Sequence, residues 1–231
     1  MQVAAPRKVL YVRCLQTSAL VLSLGLLGVG CGSDEQPGAD PVEDGGSDDL
    51  QDASEEPEGL TPEQLRGDFL FSVSMNMAPS SPAVFLAQIE AERVDDHLLM
   101  RVRQRPLSTA DRITPVADWG EWIEGQLSLD GSFQSDTIHA VIPAAANPII
   151  TFDTEVEIAL RSDQIGALES EASDARVEFL CGEVTGRILS PIEVDDLSGS
   201  HFAATRIADI DDPASYPAVV INCDHEPAKA L

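Results

Sequence analysis

Apolar and polar residues alternate along much of the chain from residue 67 onward. In the clearest stretch, Val156, Ile158 and Leu160 occupy every second position, and the charged residues Glu157 and Arg161 lie on the other face. A period of two residues is the pattern of a β-strand with one buried and one solvated face. The alternation therefore predicts that the chain folds mainly as antiparallel sheet.

About eight to ten such stretches follow one another at intervals of roughly a dozen residues, with almost no helical periodicity between them. Turn-forming pairs separate several of them, among them Asp95-Asp96, Asp130-Gly131 and Asn147-Pro148. Consecutive antiparallel strands need only short turns, which favours an all-β antiparallel barrel over its alternative, a two-sheet sandwich. Gly67-Asp68-Phe69, at the start of the first stretch, is similar to the Gly-x-Trp of lipocalins, a family of such barrels.

The same alternation makes local predictions that a structure can test. One strand is predicted to include Ile150 and Phe152, and residues 218–222 form a candidate for the last strand. Cys181-Gly182 is predicted to be a bulge or tight turn, because the apolar face changes there. Leu70 breaks the alternation of the first strand.

Two acidic residues, Glu90 and Glu92, precede a row of arginines at positions 101, 103 and 105. If the two stretches form a hairpin, the acids can face the arginines as cross-strand ion pairs. The alternative is an outer face on which the arginines are simply solvated.

The chain has 231 residues and a net charge of −26. Residues 31–65 contain twelve acidic and no basic residues, and residues 66–231 carry a balance of −17. Binding to a phosphate backbone depends on basic side chains that displace counterions. The composition therefore argues against a nucleic-acid partner, and against charge-driven binding to anionic lipid.

Residues 1–13 contain three basic and no acidic residues, and residues 14–30 are uncharged and rich in Leu and Val. This arrangement is typical of a secretory signal peptide. The run ends in Leu27-Gly28-Val29-Gly30-Cys31, which resembles the lipobox of bacterial lipoproteins, with Gly28 where that family prefers Leu. The resemblance implies cleavage before Cys31 and attachment of a diacylglycerol thioether, and usually an N-acyl chain, to that residue.

Two or three acyl chains on one residue anchor a protein stably to a membrane. Gly32 is not the aspartate that in many Gram-negative systems retains lipoproteins in the inner membrane, so the resemblance implies the outer membrane, on either face. Segments 67–73, 105–115 and 181–186 also resemble uncharacterised predicted lipoproteins of Gram-negative bacteria. That second resemblance implies the cell envelope and no particular activity.

These features divide the chain into a signal peptide at residues 1–30, an acidic disordered tether at residues 31–66 and an all-β domain at residues 67–231. The tether is rich in proline and acids and poor in apolar residues, a composition that cannot offset the entropy cost of ordering. Thr61-Pro62, near its end, predicts a short helix with Thr as the N-cap and Pro in the first position.

The chain has four cysteines. Cys14 lies in the predicted signal peptide, and Cys31 is the predicted lipidation site. Cys181 and Cys223 remain as a pair in an oxidising compartment, which predicts a disulfide between them. Such a bond stabilises the folded state by about 4 kcal/mol in the chain-entropy model and would hold the C-terminal segment against the sheet.

The motifs of common enzymes are missing: there is no nucleophile elbow, no phosphate-binding glycine loop, no His-Glu-x-x-His and no Cys-x-x-Cys. Asp153, Glu155 and Glu157 share one predicted strand face at a spacing that glycosidase carboxylates also show. No aromatic platform for a sugar accompanies them. We therefore predict that the protein is not an enzyme and carries no cofactor.

Asp209, Asp211 and Asp212, together with Asp195-Asp196, are weak candidates for a calcium site, because hard cations bind clustered carboxylates. The glycine and the closing glutamate of an EF-hand are missing, and a solvated loop is the alternative. No zinc site or other metal site is predicted.

Three functions remain open from the sequence alone. The first is a lipid-anchored envelope protein with a non-enzymatic β-domain for binding or structure. The second is a lipocalin-like carrier of a small apolar ligand, and the third is a weak calcium-dependent adhesion module. The expected partners are the membrane, through lipid on Cys31, and either an apolar ligand or an envelope protein. A filled barrel interior would favour the first function and an open apolar interior the second.

Overall fold

The computed structural model describes residues 59–163, 165 and 175–231. The predicted signal peptide, Cys31 and nearly all of the predicted tether lie outside the described residues. One short α-helix, α1 (Pro62–Leu65), precedes nine strands. The strands are β1 (Gly67–Ser74), β2 (Ala83–Val94), β3 (His97–Pro106), β4 (Ile123–Ser128), β5 (Phe133–Ser135), β6 (Ile138–Ile142), β7 (Thr154–Ser162), β8 (Phe179–Ser190) and β9 (Ser200–Arg206).

The strands form one closed antiparallel sheet. Each strand pairs with the next along the chain except that β5 does not pair with β6. Strand β9 returns to pair with β1, and β5 and β6 both pair with β7. Strands β5 and β6 therefore share one position in the ring, so nine strands make an eight-position up-and-down barrel. The predicted barrel is confirmed, and its closure excludes the sandwich alternative.

Apolar side chains from alternate positions fill the inside of the barrel. Phe202 stacks on Phe71 with the ring centroids 5.8 Å apart, and Phe85 meets Phe71 edge-on at 6.3 Å. Small residues at other inward positions, such as Ala87 and Ala204, leave room for these rings and are themselves fully or almost fully buried. Burial of this apolar surface supplies the main driving force for folding.

One end of the barrel is sealed, and we refer to it as the closed end. Helix α1 begins after Thr61, whose backbone N–H donates to Oε1 of Gln64 at 2.8 Å, as in a capping box. The helix packs beneath the barrel, with Leu65 fully buried. The short helix predicted from Thr61-Pro62 is confirmed.

Arg206, at the end of β9, joins α1 to the barrel. Its guanidinium donates to the backbone carbonyls of Val177, Arg66 and Gln64 at 2.8, 2.8 and 2.9 Å, and lies 4.6 Å from the centre of the Phe69 ring. Gly67 adopts a φ of +152°, and a Cβ there would lie 2.0 Å from Nη1 of Arg206. A side chain at position 67 would therefore displace this arginine.

The C-terminal residues 207–231, which we name the strap, run along the outside of the barrel. The amide of Ile207 donates to the carbonyl of Asp68 near the closed end, and the amide of Lys229 donates to the carbonyl of Ser80 at the opposite end. Between them, the hydroxyl of Ser72 donates to the carbonyl of Val220. The strap thus contacts both ends of the barrel.

A second apolar cluster lies under the strap, outside the barrel. Leu70 and Leu86 point outward from β1 and β2 and are buried by Ile210, Tyr216 and other strap residues. This contact explains why Leu70 breaks the alternation of β1: that strand is covered on both faces.

The structure corrects three local predictions. Strand β8 runs through Cys181-Gly182 without a bulge. Its register against β7 shifts later, opposite Glu155 and Val156, where Leu189 is the extra residue of β8. Residues 218–222 form only an isolated bridge and no strand. Strand β7 begins at Thr154, because Asn147 holds the residues before it in a turn.

The predicted hairpin of β2 and β3 is confirmed, with Glu90 opposite Arg101. Arg101, however, pairs with Glu124 of β4 at 3.0 Å. Arg103 donates to Gln88 and lies 5.1 and 4.8 Å from the rings of Trp119 and Trp122. The Arg103 contacts hold the loop 107–122 against the outer face of β3. The arginines therefore stabilise neighbouring segments through partners other than Glu90 and Glu92.

Within the described residues, the one α-helix has four residues, and no helix has the length and apolar composition required to cross a bilayer.

Candidate functional site

The interior of the barrel is almost completely filled. Two internal pockets hold about 20 and 70 Å³. Pockets for drug-sized ligands usually measure roughly 300–1,000 Å³. The described residues therefore leave no room in the barrel for a ligand of that size.

Four loops lie at the end of the barrel opposite α1. The loop 107–122 folds back along the outer face of β3, and the other three, 75–82, 143–153 and 191–199, we name the rim. The side-chain carbonyl of Asn147 accepts from the amides of Ile149 and Ile150 at 2.9 and 3.2 Å, which fixes the turn in the middle loop. Between the loops lies a shallow apolar depression of about 50 Å³. We call it the rim groove; its main lining residues are Met77, Ile149, Ile150, Ile188, Ile192 and Val194.

Large apolar side chains on the rim are open to solvent. Phe152 is 65% exposed, Ile192 57% and Met77 42%. These are three of the seven large apolar side chains that are exposed among the described residues, although the rim loops are a small part of that surface. Clusters of exposed apolar residues with a polar border commonly mark interaction sites.

The border of the rim groove is acidic. Asp153, Glu193, Asp195 and Asp196 are all exposed, and the three rim loops contain no basic residue. Hydrogen bonds from the Ser198 side chain and backbone lower the pKa of Asp196, so its carboxylate stays ionised. The rim thus combines an apolar centre with a negative edge.

A larger, polar cleft of about 450 Å³ lies outside the barrel, between the face of β7–β9 and the strap. Glu183, His201 and Asp224 line it together with Arg161, which pairs with Asp163 at 3.2 Å. The cleft is broadly open to solvent, and its charged groups are surface groups.

The predicted disulfide between Cys181 and Cys223 is present, with the two Cα atoms 5.3 Å apart. Cys181 lies on the outer face of β8, and Cys223 lies in the strap. The bond therefore joins the strap to the barrel wall, as expected from the sequence.

The candidate calcium residues serve as caps of local turns. Asp209 Oδ1 accepts from the amide of Asp211 at 2.9 Å, and Asp212 Oδ1 accepts from the amide of Ala214 at 3.0 Å. Burial, and then the charges of the three aspartates of this turn, raises the pKa of Tyr216. Across the part of the chain that the structure describes, no three His, Cys, Asp or Glu side chains form a group suited to a metal ion.

The three carboxylates proposed for glycosidase chemistry have different environments. Asp153 lies before β7 and accepts from the amide of Ala144 at 2.8 Å. Glu157 pairs with Arg187 at 3.0 Å and lies 3.6 Å from His139. Glu155 is exposed beside the register shift between β7 and β8. The three are therefore not aligned on one strand, because the strand starts after Asp153.

No protein-family model, no curated protein and no solved structure matches the chain. The function must therefore be argued from the chain's own residues.

Sequence reasoning missed the rim. Ile150 and Phe152 were assigned to a strand, where apolar residues need no further explanation, and Ile192 was not singled out. The available signal was the pair Asn147-Pro148, which predicted a turn but not its length. The role of Arg206 was also missed, because an isolated arginine in a strand gives no sign of its partners.

Proposed function

We propose that this chain is a lipid-anchored cell-envelope protein whose β-barrel has a non-enzymatic binding or structural role. The observation that carries the proposal is the filled barrel interior, which moves any ligand contact to the outer surface. The lipobox-like segment that ends at Cys31 supports the anchor, and the outer membrane is the location we propose. Residue 59, the first described residue, lies at the closed end of the barrel. A tether that joins the domain there is therefore at the end opposite the rim.

Metabolic labelling with palmitate tests the anchor. We expect label on the full chain expressed in a Gram-negative host, and loss of both the label and membrane fractionation in Cys31→Ser. Ser33→Ala, two residues further on, is the matched control and should keep both. Label that survives Cys31→Ser would show that the anchor is wrong.

A panel of hydrolase substrates tests the non-enzymatic role. We expect the full chain and a Glu155→Gln, Glu157→Gln double variant to give the same background turnover of every substrate. Turnover that depends on these two carboxylates would overturn the proposal, since they are the described acids closest to the arrangement that glycosidases use.

The carrier alternative requires a cavity that the described residues do not provide. Native mass spectrometry of the protein from its own host gives a direct comparison. A bound lipid or other apolar molecule of defined mass would favour the carrier, and a bare chain would favour the surface role.

A further inference from the structure

We propose that the rim groove is a docking site for a cationic, apolar segment of a partner protein. This inference rests on the proposed binding role, and it names the surface and the chemistry of the partner.

The size of the rim groove favours a partner's side chains over a free small molecule. At about 50 Å³ it is smaller than the roughly 150 Å³ cavity that encloses benzene in an engineered protein core. It is open toward solvent, and Phe152 and Ile192 stand exposed in two of the loops around it. Such a surface can receive one or two apolar side chains that a larger molecule presents, with the exposed residues as anchors.

The charge around the groove decides which partner fits. The four carboxylates lie on the loops 143–153 and 191–199, whereas the basic residues at this end, Arg112 and Lys229, lie beside Ser80 of the loop 75–82. A segment that carries Lys or Arg beside its apolar residues therefore gains attraction where it meets those two acidic loops. A second copy of this chain would bring the same acidic rim and a net charge of −26, which opposes self-association. The chain's own residues 31–65 have twelve acids and no base, so they too are repelled.

Anionic lipid is disfavoured for the same reason. Carboxylates at the edge of an apolar patch repel a negatively charged membrane surface, whereas proteins that dock on such surfaces use Lys and Arg. The rim also lies at the end of the barrel opposite residue 59, and residue 59 is where the segment from the predicted anchor joins the domain.

Peptide titration tests the proposal. The full chain is reconstituted in nanodiscs of zwitterionic lipid, and empty nanodiscs supply the background. The probes are two fluorescently labelled peptides, one of alternating Leu and Lys and one of alternating Leu and Glu. We expect saturable binding of the Leu/Lys peptide, measured by anisotropy, and none of the Leu/Glu peptide.

Variants then locate the binding. Ile192→Ser combined with Phe152→Ser should weaken binding of the Leu/Lys peptide by about tenfold or more. Val141→Ser is the matched control, because Val141 is 58% exposed on the outer side of β6 and does not line the groove. This variant should bind the peptide as the unaltered chain does. Equal binding by the double variant and the control would overturn the proposal.

Charge reversal separates docking on the rim from general attraction to an acidic protein. Glu193→Lys with Asp195→Lys should weaken binding and flatten its salt dependence. Glu90→Lys with Glu92→Lys makes the same change in net charge on the outer face of β2, toward the closed end, and should have a smaller effect. Equal effects would show non-specific attraction, and no binding to the unaltered chain would also overturn the proposal.

A membrane as the true occupant would give a different result. Trp119 and Trp122 pack on Arg103, in the half of β3 farther from α1, so they report on a bilayer that covers that half of the barrel. Quenching of their fluorescence by brominated lipid in the nanodisc would place the rim against the bilayer and overturn the proposal. Failure in any of these experiments leaves the palmitate and hydrolase results unaffected, so it is distinguishable from failure of the proposed function.

Discussion

The two ends of the barrel differ in how they cover the apolar interior. At the closed end, α1 covers the opening, Leu65 is fully buried, and the side chain of Arg206 is 9% exposed. At the rim, three loops leave Phe152 and Ile192 more than half exposed, beside exposed carboxylates. The difference teaches that polar groups at the closed end are used to hold the fold, whereas the rim retains apolar surface that the fold does not need.

Removal of Arg206 should have the largest effect. Arg206→Ala leaves the carbonyls of Gln64, Arg66 and Val177 without this donor, and Gln64 and Val177 are buried. We expect the free energy of unfolding to fall by about 3–5 kcal/mol, measured by urea unfolding.

Arg187→Ala is the control for that change. Arg187 makes one ion pair with Glu157 and its side chain is 51% exposed, so the expected loss is below about 1 kcal/mol. Similar losses in the two variants would show that the closed end is not specially stabilised.

Loss of the disulfide should rank next. The bond closes a loop with a sequence separation of 42, and replacing both Cys181 and Cys223 by Ala should cost up to about 4 kcal/mol in the chain-entropy model. The strap contacts both ends of the barrel, so its release should expose Leu70 and Leu86 while α1 stays docked. Proteolysis should then cut the strap before it cuts the barrel.

Reduction of the unaltered chain provides the matching measurement. Dithiothreitol should lower the unfolding midpoint of the unaltered chain and leave that of the double variant unchanged. A strap as protease-resistant in the double variant as in the oxidised chain would show that the apolar cluster alone holds it.

The sequence was informative wherever one local rule decided the structure. Period-two alternation predicted the antiparallel barrel, because a strand with one solvent-exposed face needs a closed or stacked sheet to bury its apolar face. Elimination among four cysteines predicted the bond between Cys181 and Cys223. The N-cap Thr61 and Pro62 predicted α1.

The sequence was uninformative wherever distant segments decide the outcome. Leu70 looked like an error in the pattern until the strap covered it, more than a hundred residues later in the chain. The partners of Arg206 are likewise backbone carbonyls, which carry no sequence signal. Phe152 fits the predicted strand because apolar periodicity does not reveal where a strand begins when a side chain such as Asn147 fixes the preceding turn.

Substitution of an exposed rim residue should have little effect on stability. Ile192→Ser removes a side chain that is already 57% exposed, so the free energy of unfolding should change by less than about 0.5 kcal/mol. Leu65→Ala, at the closed end, removes a fully buried side chain and should cost about 2–5 kcal/mol. A large loss in Ile192→Ser would mean that the rim groove belongs to the core and is not spare surface.

The smallest expected effect is a local one at low pH, in the loop 107–122 at the rim end. Asp111 Oδ2 accepts from the Thr114 hydroxyl at 2.6 Å, and Oδ1 accepts from the amides of Thr114 and Ile113 at 3.0 Å. These hydrogen bonds, that of the Thr114 hydroxyl first, lower the pKa of Asp111. Because the folded pKa is the lower one, the turn's contribution is present above the unfolded pKa and is lost as the pH falls through the folded pKa.

Amide resonances of Ile113 and Thr114, followed by NMR, should therefore titrate at a pH below the ordinary aspartate value of about 3.9. Asp111→Asn cannot ionise and should remove that titration while its side-chain carbonyl still accepts from the amides. Resonances of Leu65, at the opposite end of the barrel, should not follow the titration of Asp111, so any change that they show over the same interval should be the same in Asp111→Asn. If the closed end titrated together with the loop, the two ends would be energetically coupled, and the division between a structural end and a binding end would fail.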